Sequence, residues 1–443
     1  MKRFLTKRTL FFGGVYALFF LWSLYTLDPD FGWHLRAGQY FLSNGVPASD
    51  IFTYTASSFP WVDHEWLSDI FVALVYQLGS FWLLAAIYAG MWTTAVALVS
   101  KKVPYAIIIV GVIAIMPFAG VRTLTWSVLF LALLYRILHA KQTKWQLTIP
   151  LLFLLWANVH GSFLVGIAYG GWVMLQRRSW RLFVLGCVSL ALTFVNPYGY
   201  HIYTEIFRTM LDGNLSANIV EWQRFALPIA AAPYALLWVA LMVYVNQRKW
   251  REYITFDTLL FIWSCLSMRM TPLFVLISLT SIPSLISRLA KTIPKADLPQ
   301  ATQLARRSLQ VLVVICLLIP VLSSVLTKNS IHYPVHAISY LKANPCKGNL
   351  FNSYNFGGFL IWQLPNTKVY IDGRMPSWKY EGKDYMATYN QVLTEKSVRD
   401  TEFSRFDIRC VVIENTSPLY SELRREGWNI KSTDNTTSVL TSY

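Results

Sequence analysis

The stretch LFFGGVYALFFLWSLYTLDPDFGWHLR, residues 10–36, decides the fold class. Its first 18 residues are almost wholly apolar, close to the ~18–20 needed to cross a bilayer, and follow the basic leader Lys2, Arg3, Lys7 and Arg8. It then turns abruptly acidic at Asp28-Pro29-Asp30. A cleaved signal peptide would end in a small-x-small site before Asp28, and none is present, so the segment reads as an uncleaved anchor.

Apolar runs recur outward from this stretch, and the 443-residue chain is 55% hydrophobic and only 14% charged. That composition excludes a single soluble domain, a disordered chain and a disulfide-stapled scaffold. Candidate spans lie at 10–27, 80–100, 103–121, 124–139, 147–159, 161–176, 181–196, 228–246, 256–268, 271–287 and 308–327. The expected fold is therefore an all-α polytopic membrane domain of about eleven helices over residues 1–327.

Charge orients these spans. With the amino terminus cytoplasmic, 20 of the Lys and Arg residues up to 327 fall inside and five outside (Arg36, Arg122, Arg208, Arg224, Arg269), while nine of twelve acids fall outside. The net charge of +16 is thus explained by topology and anionic lipid, and no nucleic-acid partner is needed.

From residue 328 the apolar runs shorten. Strand-like stretches at Asn349–Phe351, Lys368–Asp372 and Ile408–Glu414 alternate with helix-like ones at Pro334–Ala343 and Ser417–Glu426. This predicts a C-terminal extracytoplasmic α/β domain, 328–443, of about 115 residues. Cys187, Cys265 and Cys316 fall within spans as small hydrophobes, whereas Cys346 and Cys410 face an oxidising compartment and would pair if close enough.

The chemistry gathers in the long loop 28–66 between the first two spans. Asp28 and Asp30 leave the membrane two residues apart, His34 and Arg36 follow, and Asp63, His64 and Glu65 close the loop. Carboxylates crowded at a low-dielectric boundary raise one another's pKa or hold a divalent cation, either of which equips one to take a proton or organise a phosphate. This leaves Mg or Mn open as a cofactor. A zinc protease is excluded because His64-Glu65 lacks the second His of HExxH.

Other polar residues fall at the predicted outer ends of spans: Asn158 and His160 in WANVHGSF, Asn196 in NPYG, Glu221 in IVEWQRF and Arg269 in SMRMTP. Arg269 and Arg36 suit a lipid phosphate or pyrophosphate, because a guanidinium satisfies its oxygens in pairs. In the outer domain, Gly357-Gly358 permits close backbone approach, and Asp372-Gly373-Arg374 reads either as a turn that knits the domain together or as a substrate-facing loop.

At these residues the sequence resembles the GT-C class of polytopic membrane glycosyltransferases. DPD followed by His34-Leu35-Arg36 is similar to the opening of the first outer loop in oligosaccharyltransferase catalytic subunits. There the first Asp is a metal and acceptor-site acid, a role the resemblance carries to Asp28, and Asp63-x-Glu65 is similar to the second acidic pair. The WWDxG motif of those enzymes is absent. Across nearly the whole chain, DPDFGWHLRAG, WVDHEW, HGSF, NPYG and NFGG…IDGR look like a group of bacterial GT-C-like membrane proteins. The resemblance implies inverting transfer of a sugar from a polyprenyl-phosphate donor to a glycan, lipid or protein acceptor at the outer face of the plasma membrane. Asp28, Asp30 and Glu65 would be catalytic, and His34, Arg36, Asp63, His64, His160, Glu221, Arg269, Asp372 and Arg374 would bind substrate. A transporter or flippase for a lipid-linked or anionic solute, and a non-enzymatic receptor or assembly platform, are the alternatives.

Overall fold

A computed structural model describes residues 6–223, 227–247, 249–292, 300–304, 307 and 333–443. The described chain divides into two units, one of residues 1–27, 81–199 and 219–328, the other of residues 28–80, 200–218 and 329–443.

The first unit is helical. Helix α1 (Lys7–Tyr25) starts where the Thr6 side chain accepts the Thr9 N–H at 3.1 Å. Beyond α2 (Phe31–Asn44), which belongs to the second unit, α3 (Trp66–Val99) breaks at Gly79 and at Ser80, whose φ is +56°. A Gly-Ser pair is a common place for a helix to break, and the apolar half after it belongs to the first unit. There follow α4 (Tyr105–Ile115), α5 (Leu124–Leu138), α6 (Ile149–Val159), α7 (Phe163–Arg177) and α8 (Trp180–Leu192). After α9 (His201–Leu211) and α10 (Gly213–Asn218) of the second unit, helices α11 (Ala232–Val245), α12 (Phe256–Leu266) and α13 (Thr271–Thr292) complete the described part of the first. At the centre Gly111 of α4 lets Tyr234 of α11 and Val275 of α13 approach, and the Tyr234 hydroxyl bonds Ser278 Oγ at 2.9 Å.

Helices occupy ten of the eleven expected spans, and 308–327 lies outside the described residues. Among the described residues three helices are long and apolar enough to cross a membrane, Lys7–Tyr25, Trp66–Val99 and Met268–Thr292, and the other apolar helices are shorter.

The second unit carries a four-stranded sheet in the order β1-β4-β6-β5. Strand β1 (Asn349–Asn352) runs parallel to the buried central strand β4 (Ile408–Glu414), while β6 (Thr437–Thr441) pairs antiparallel with β4 and with β5 (Asn429–Thr433). A short hairpin, β2 (Lys379–Tyr380) and β3 (Lys383–Asp384), turns through Glu381 and Gly382, both at positive φ as such two-residue turns require. Cys346 and Cys410 are joined by a disulfide, with Cα atoms 6.0 Å apart. Trp33, Phe41, Phe59 and Trp61 share one buried core with Phe351, Tyr370, Val411 and Leu440.

Two expectations are corrected here. Residues 28–66 are not all loop: FGWHLRAGQYFLSN forms α2, whose positions 31, 35, 38 and 41/42 recur at helical spacing. Lys368–Asp372 is extended but joins no sheet. Its Val369 N–H instead donates to Phe52 O at 3.0 Å, and Tyr54 N–H donates to Val369 O at 3.3 Å.

Candidate active site

The acidic turn at the head of α2 is built by its own residues. The Asp30 N–H donates to Asp28 Oδ1 at 2.8 Å and the Phe31 N–H to Asp28 O at 3.1 Å, closing a turn from which α2 starts. Asp30 is the helix N-cap residue, yet its carboxyl makes no capping bond. It is half-buried against Gly373, where a Cβ would come within 2.8 Å of its Cγ. That cover, with the Asp28 charge second, pushes the Asp30 carboxyl up to about 7, while His34 pulls the other way.

One helical turn on, His34 enters a buried polar network. Its Nδ1 lies 2.6 Å from Asp69 Oδ1 and its Nε2 3.7 Å from Glu65 Oε2, and His64 Nε2 lies 3.8 Å from Glu65 Oε1. Asp63 caps the start of α3 by accepting the Glu65 N–H at 2.9 Å and hydrogen-bonds Asp69 through its carboxyl. Burial first, then the Asp69 charge, drives Asp63 well above the usual carboxylate range. Burial, and then the Glu65 charge, lifts Asp69 in the same direction, and Asp69 in turn holds His34. Helices α2 and α3 approach this closely because Gly38 has no side chain: a Cβ there would overlap the Asp69 backbone and meet Ala73 Cβ at 2.9 Å. Asp69 was not foreseen, although an acid in the first turn of an otherwise apolar helix is the available signal.

Asp372 and Arg374 are interior residues. The Arg374 guanidinium bonds both Asp372 oxygens, at 2.8 and 2.6 Å, and lies 2.7 Å from Asp50. It is enclosed by the rings of Trp61, Phe52, Trp378 and Trp33 at 4.5, 5.0, 5.1 and 5.8 Å. Burial lowers its pKa, but the two carboxylates outweigh this and hold the charge firmly. Of the two sequence readings, the geometry matches a charged pillar that knits the unit. Asp50, missed from sequence, completes it. Arg36 donates to Gln39 Oε1 at 2.7 Å on its own helix.

The remaining expected residues lie in the first unit. Arg122 pairs with Glu221 at 2.5 Å, and Arg269 packs 5.5 Å over the Trp222 ring. Burial opposes ionisation of Glu221, but Arg122 and then Arg269 overcome it and hold the carboxyl below its ordinary range. His160 is buried, its Nδ1 accepting from the Ser162 N–H at 3.1 Å and lying 2.8 Å from Ser127 Oγ, to which Trp156 Nε1–H donates at 2.8 Å. Asn158 donates to Leu154 O and Val195 O. Arg224 lies outside the described residues.

Among the described residues no three His, Cys, Asp or Glu side chains converge as a metal ion would require. Asp28 spends one oxygen on the Asp30 N–H, so the acidic turn by itself offers two carboxyls, the kind of donor set that holds Mg2+ through waters and a substrate phosphate.

No family model matches the sequence, and no curated protein matches it. Among solved structures the chain is similar to the archaeal oligosaccharyltransferase AglB from Archaeoglobus fulgidus, in complex with an inhibitory peptide and a dolichol-phosphate. The TM-score is 0.57 at 12% identity, covering 92% of this chain and 70% of that one. The chain thus shares the overall fold of that structure, and three of its described helices are long and apolar enough to cross a membrane.

Proposed function

We propose that this protein is an integral membrane glycosyltransferase, moving a sugar from a polyprenyl-phosphate-linked donor to an extracytoplasmic acceptor with inversion. The observation that carries the reading is Asp30: half-buried, its carboxyl not used to cap α2, and raised to about 7 beside Asp28. A base is most effective when its pKa lies near the working pH.

In the reaction the Asp30 carboxylate takes the proton of an acceptor hydroxyl as its oxygen attacks the anomeric carbon. The bond from that carbon to the phosphate oxygen breaks, and polyprenyl phosphate leaves with the electron pair. A single displacement of this kind inverts the anomeric centre. Asp28 adds its charge to the burial that raises the Asp30 pKa, and it holds the turn. The Cys346–Cys410 disulfide supports placing residues 329–443 outside the cytoplasm of a bacterial cell, at the outer face of the plasma membrane.

The test is transfer from a panel of polyprenyl-phosphate sugars by the purified protein, for wild type, Asp28→Asn and Asp30→Asn, with and without chelator. Transfer by wild type that collapses in Asp30→Asn is expected, and its sensitivity to chelator reads whether a divalent cation takes part. Full turnover by Asp30→Asn would remove it from this role.

A further inference from the structure

The acidic turn meets two motifs more than 300 residues further along the chain, and glycines make the tightest backbone approaches between them. A Cβ on Gly358 would overlap Pro29 O and come within 3.4 Å of Trp33 Cδ1, and one on Gly32 would overlap Gly358 O and reach Trp362 Cβ at 2.9 Å. A Cβ on Gly357 would lie 2.6 Å from Asp372 Cα. On Gly373 it would stand where the Asp30 carboxyl now is, closest to Oδ1 and 3.3 Å from Oδ2. None of these four glycines has a positive φ, so backbone conformation does not demand them. What demands them is space.

The wall behind Asp30 cannot retreat. Asp372 is locked by Arg374, which Asp50 and four rings hold in turn, and Asn352 Nδ2–H donates to Ile371 O at 2.8 Å while its Oδ1 accepts the Tyr370 N–H at 2.9 Å. The Tyr354 hydroxyl donates to Gly373 O at 3.3 Å. Asp30, with two side-chain torsions and no capping bond, is the partner that would move.

We propose that Gly373 is a positioning residue: lacking a side chain, it lets the 372–374 backbone press on the Asp30 carboxyl and fix the direction in which it meets the acceptor hydroxyl. This rests on the reading of Asp30 as the base. Adding one methyl swings the carboxyl off line, and a misplacement of about 1 Å costs on the order of 10²-fold.

Two measurements on the full-length protein test it. In transfer kinetics Gly373→Ala lowers kcat about 10- to 100-fold with donor KM within about twofold. Tyr354→Phe, which adds no bulk, lowers kcat less and in the same sense, and it carries the kinetic test if Gly373→Ala does not fold. Gly170→Ala, at a glycine with nothing within 4 Å, leaves kcat unchanged. Independently of any substrate, Asp30→Cys combined with Gly373→Cys forms a disulfide under oxidant, with the other free cysteines replaced, and neither single variant does. A folded Gly373→Ala with wild-type kcat overturns the inference, as does Tyr354→Phe with wild-type kcat if Gly373→Ala does not fold. Failure of the double variant to cross-link while Asp30→Asn abolishes transfer overturns it but leaves the enzyme reading standing. Cross-linking with no transfer by wild type makes the contact purely structural and ends both.

Discussion

The backbone N–H of Asp30 donates to the Asp28 carboxylate at 2.8 Å, and this one bond divides the labour between two adjacent acids. Asp28 folds the turn and supplies a charge. Asp30, which that charge helps to keep protonated until about pH 7, is left to accept a proton. Asp30→Asn should lower transfer by ~10²–10⁴-fold, the usual worth of a positioned base. In wild type the rate should rise as pH passes upward through about 7, because only the ionised carboxyl is a base. Asp28→Asn removes a charge that raises the Asp30 pKa, so it should move that rise to lower pH. A pH–rate profile for each variant checks both.

The same shift predicts a stability effect opposite to the catalytic one. A carboxyl whose folded pKa lies above its unfolded value of 3.8 costs stability as it is forced to ionise. The folded state binds the extra proton between 3.8 and about 7, so stability falls with rising pH across that window and the full cost persists above it. Asp30→Asn should therefore raise the melting temperature above about pH 7 and leave it unchanged in acid. After discounting for solvent on its open side, the gain is on the order of 1–3 kcal/mol. Thermal melts in detergent across pH give the answer, and a destabilised Asn variant in alkali would contradict it.

Arg374 should be among the costliest residues to remove. Its side chain is 3% exposed and compensates two carboxylates that are themselves inaccessible. Arg374→Ala strands both charges and should cost about 3–5 kcal/mol, as should loss of Asp50 to a lesser extent. A double-mutant cycle between positions 50 and 374, read by melting, should show strong coupling; additive effects would refute the pillar.

The disulfide closes a loop spanning 64 positions, which on loop entropy corresponds to about 4 kcal/mol. Reduction, or replacement of both Cys346 and Cys410 by Ser, should lower the melting temperature of residues 329–443 in particular. Limited proteolysis localises the loss. Equal protection of that region with and without reductant would show that the bond does not form.

Much of this architecture is legible in the residues. Apolar runs mark the helices of the first unit, and DPD, HEW, NFGG and IDGR each announce themselves by turn formers beside charges. What the sequence conceals is that these motifs meet, since contacts across more than 300 residues leave no local periodicity. Asp50 escaped because its partner Arg374 lies more than 300 residues away, and Asp69, four residues after Glu65 in the first turn of α3, was read as part of a helix and not of the cluster. Helix Gly357–Gln363 was hidden by glycines that look like a turn but serve a close approach, and the polar helices Tyr385–Thr394 and Lys396–Arg405 lack an apolar stripe strong enough to read.

The most direct test of the central claim is the anomeric configuration and rate of product formed by purified wild type and Asp30→Asn from a defined polyprenyl-phosphate sugar. The account predicts a product of inverted configuration, formed by wild type and slowed at least ~10²-fold in Asp30→Asn. No transfer from any such donor, or a product of retained configuration, would contradict it.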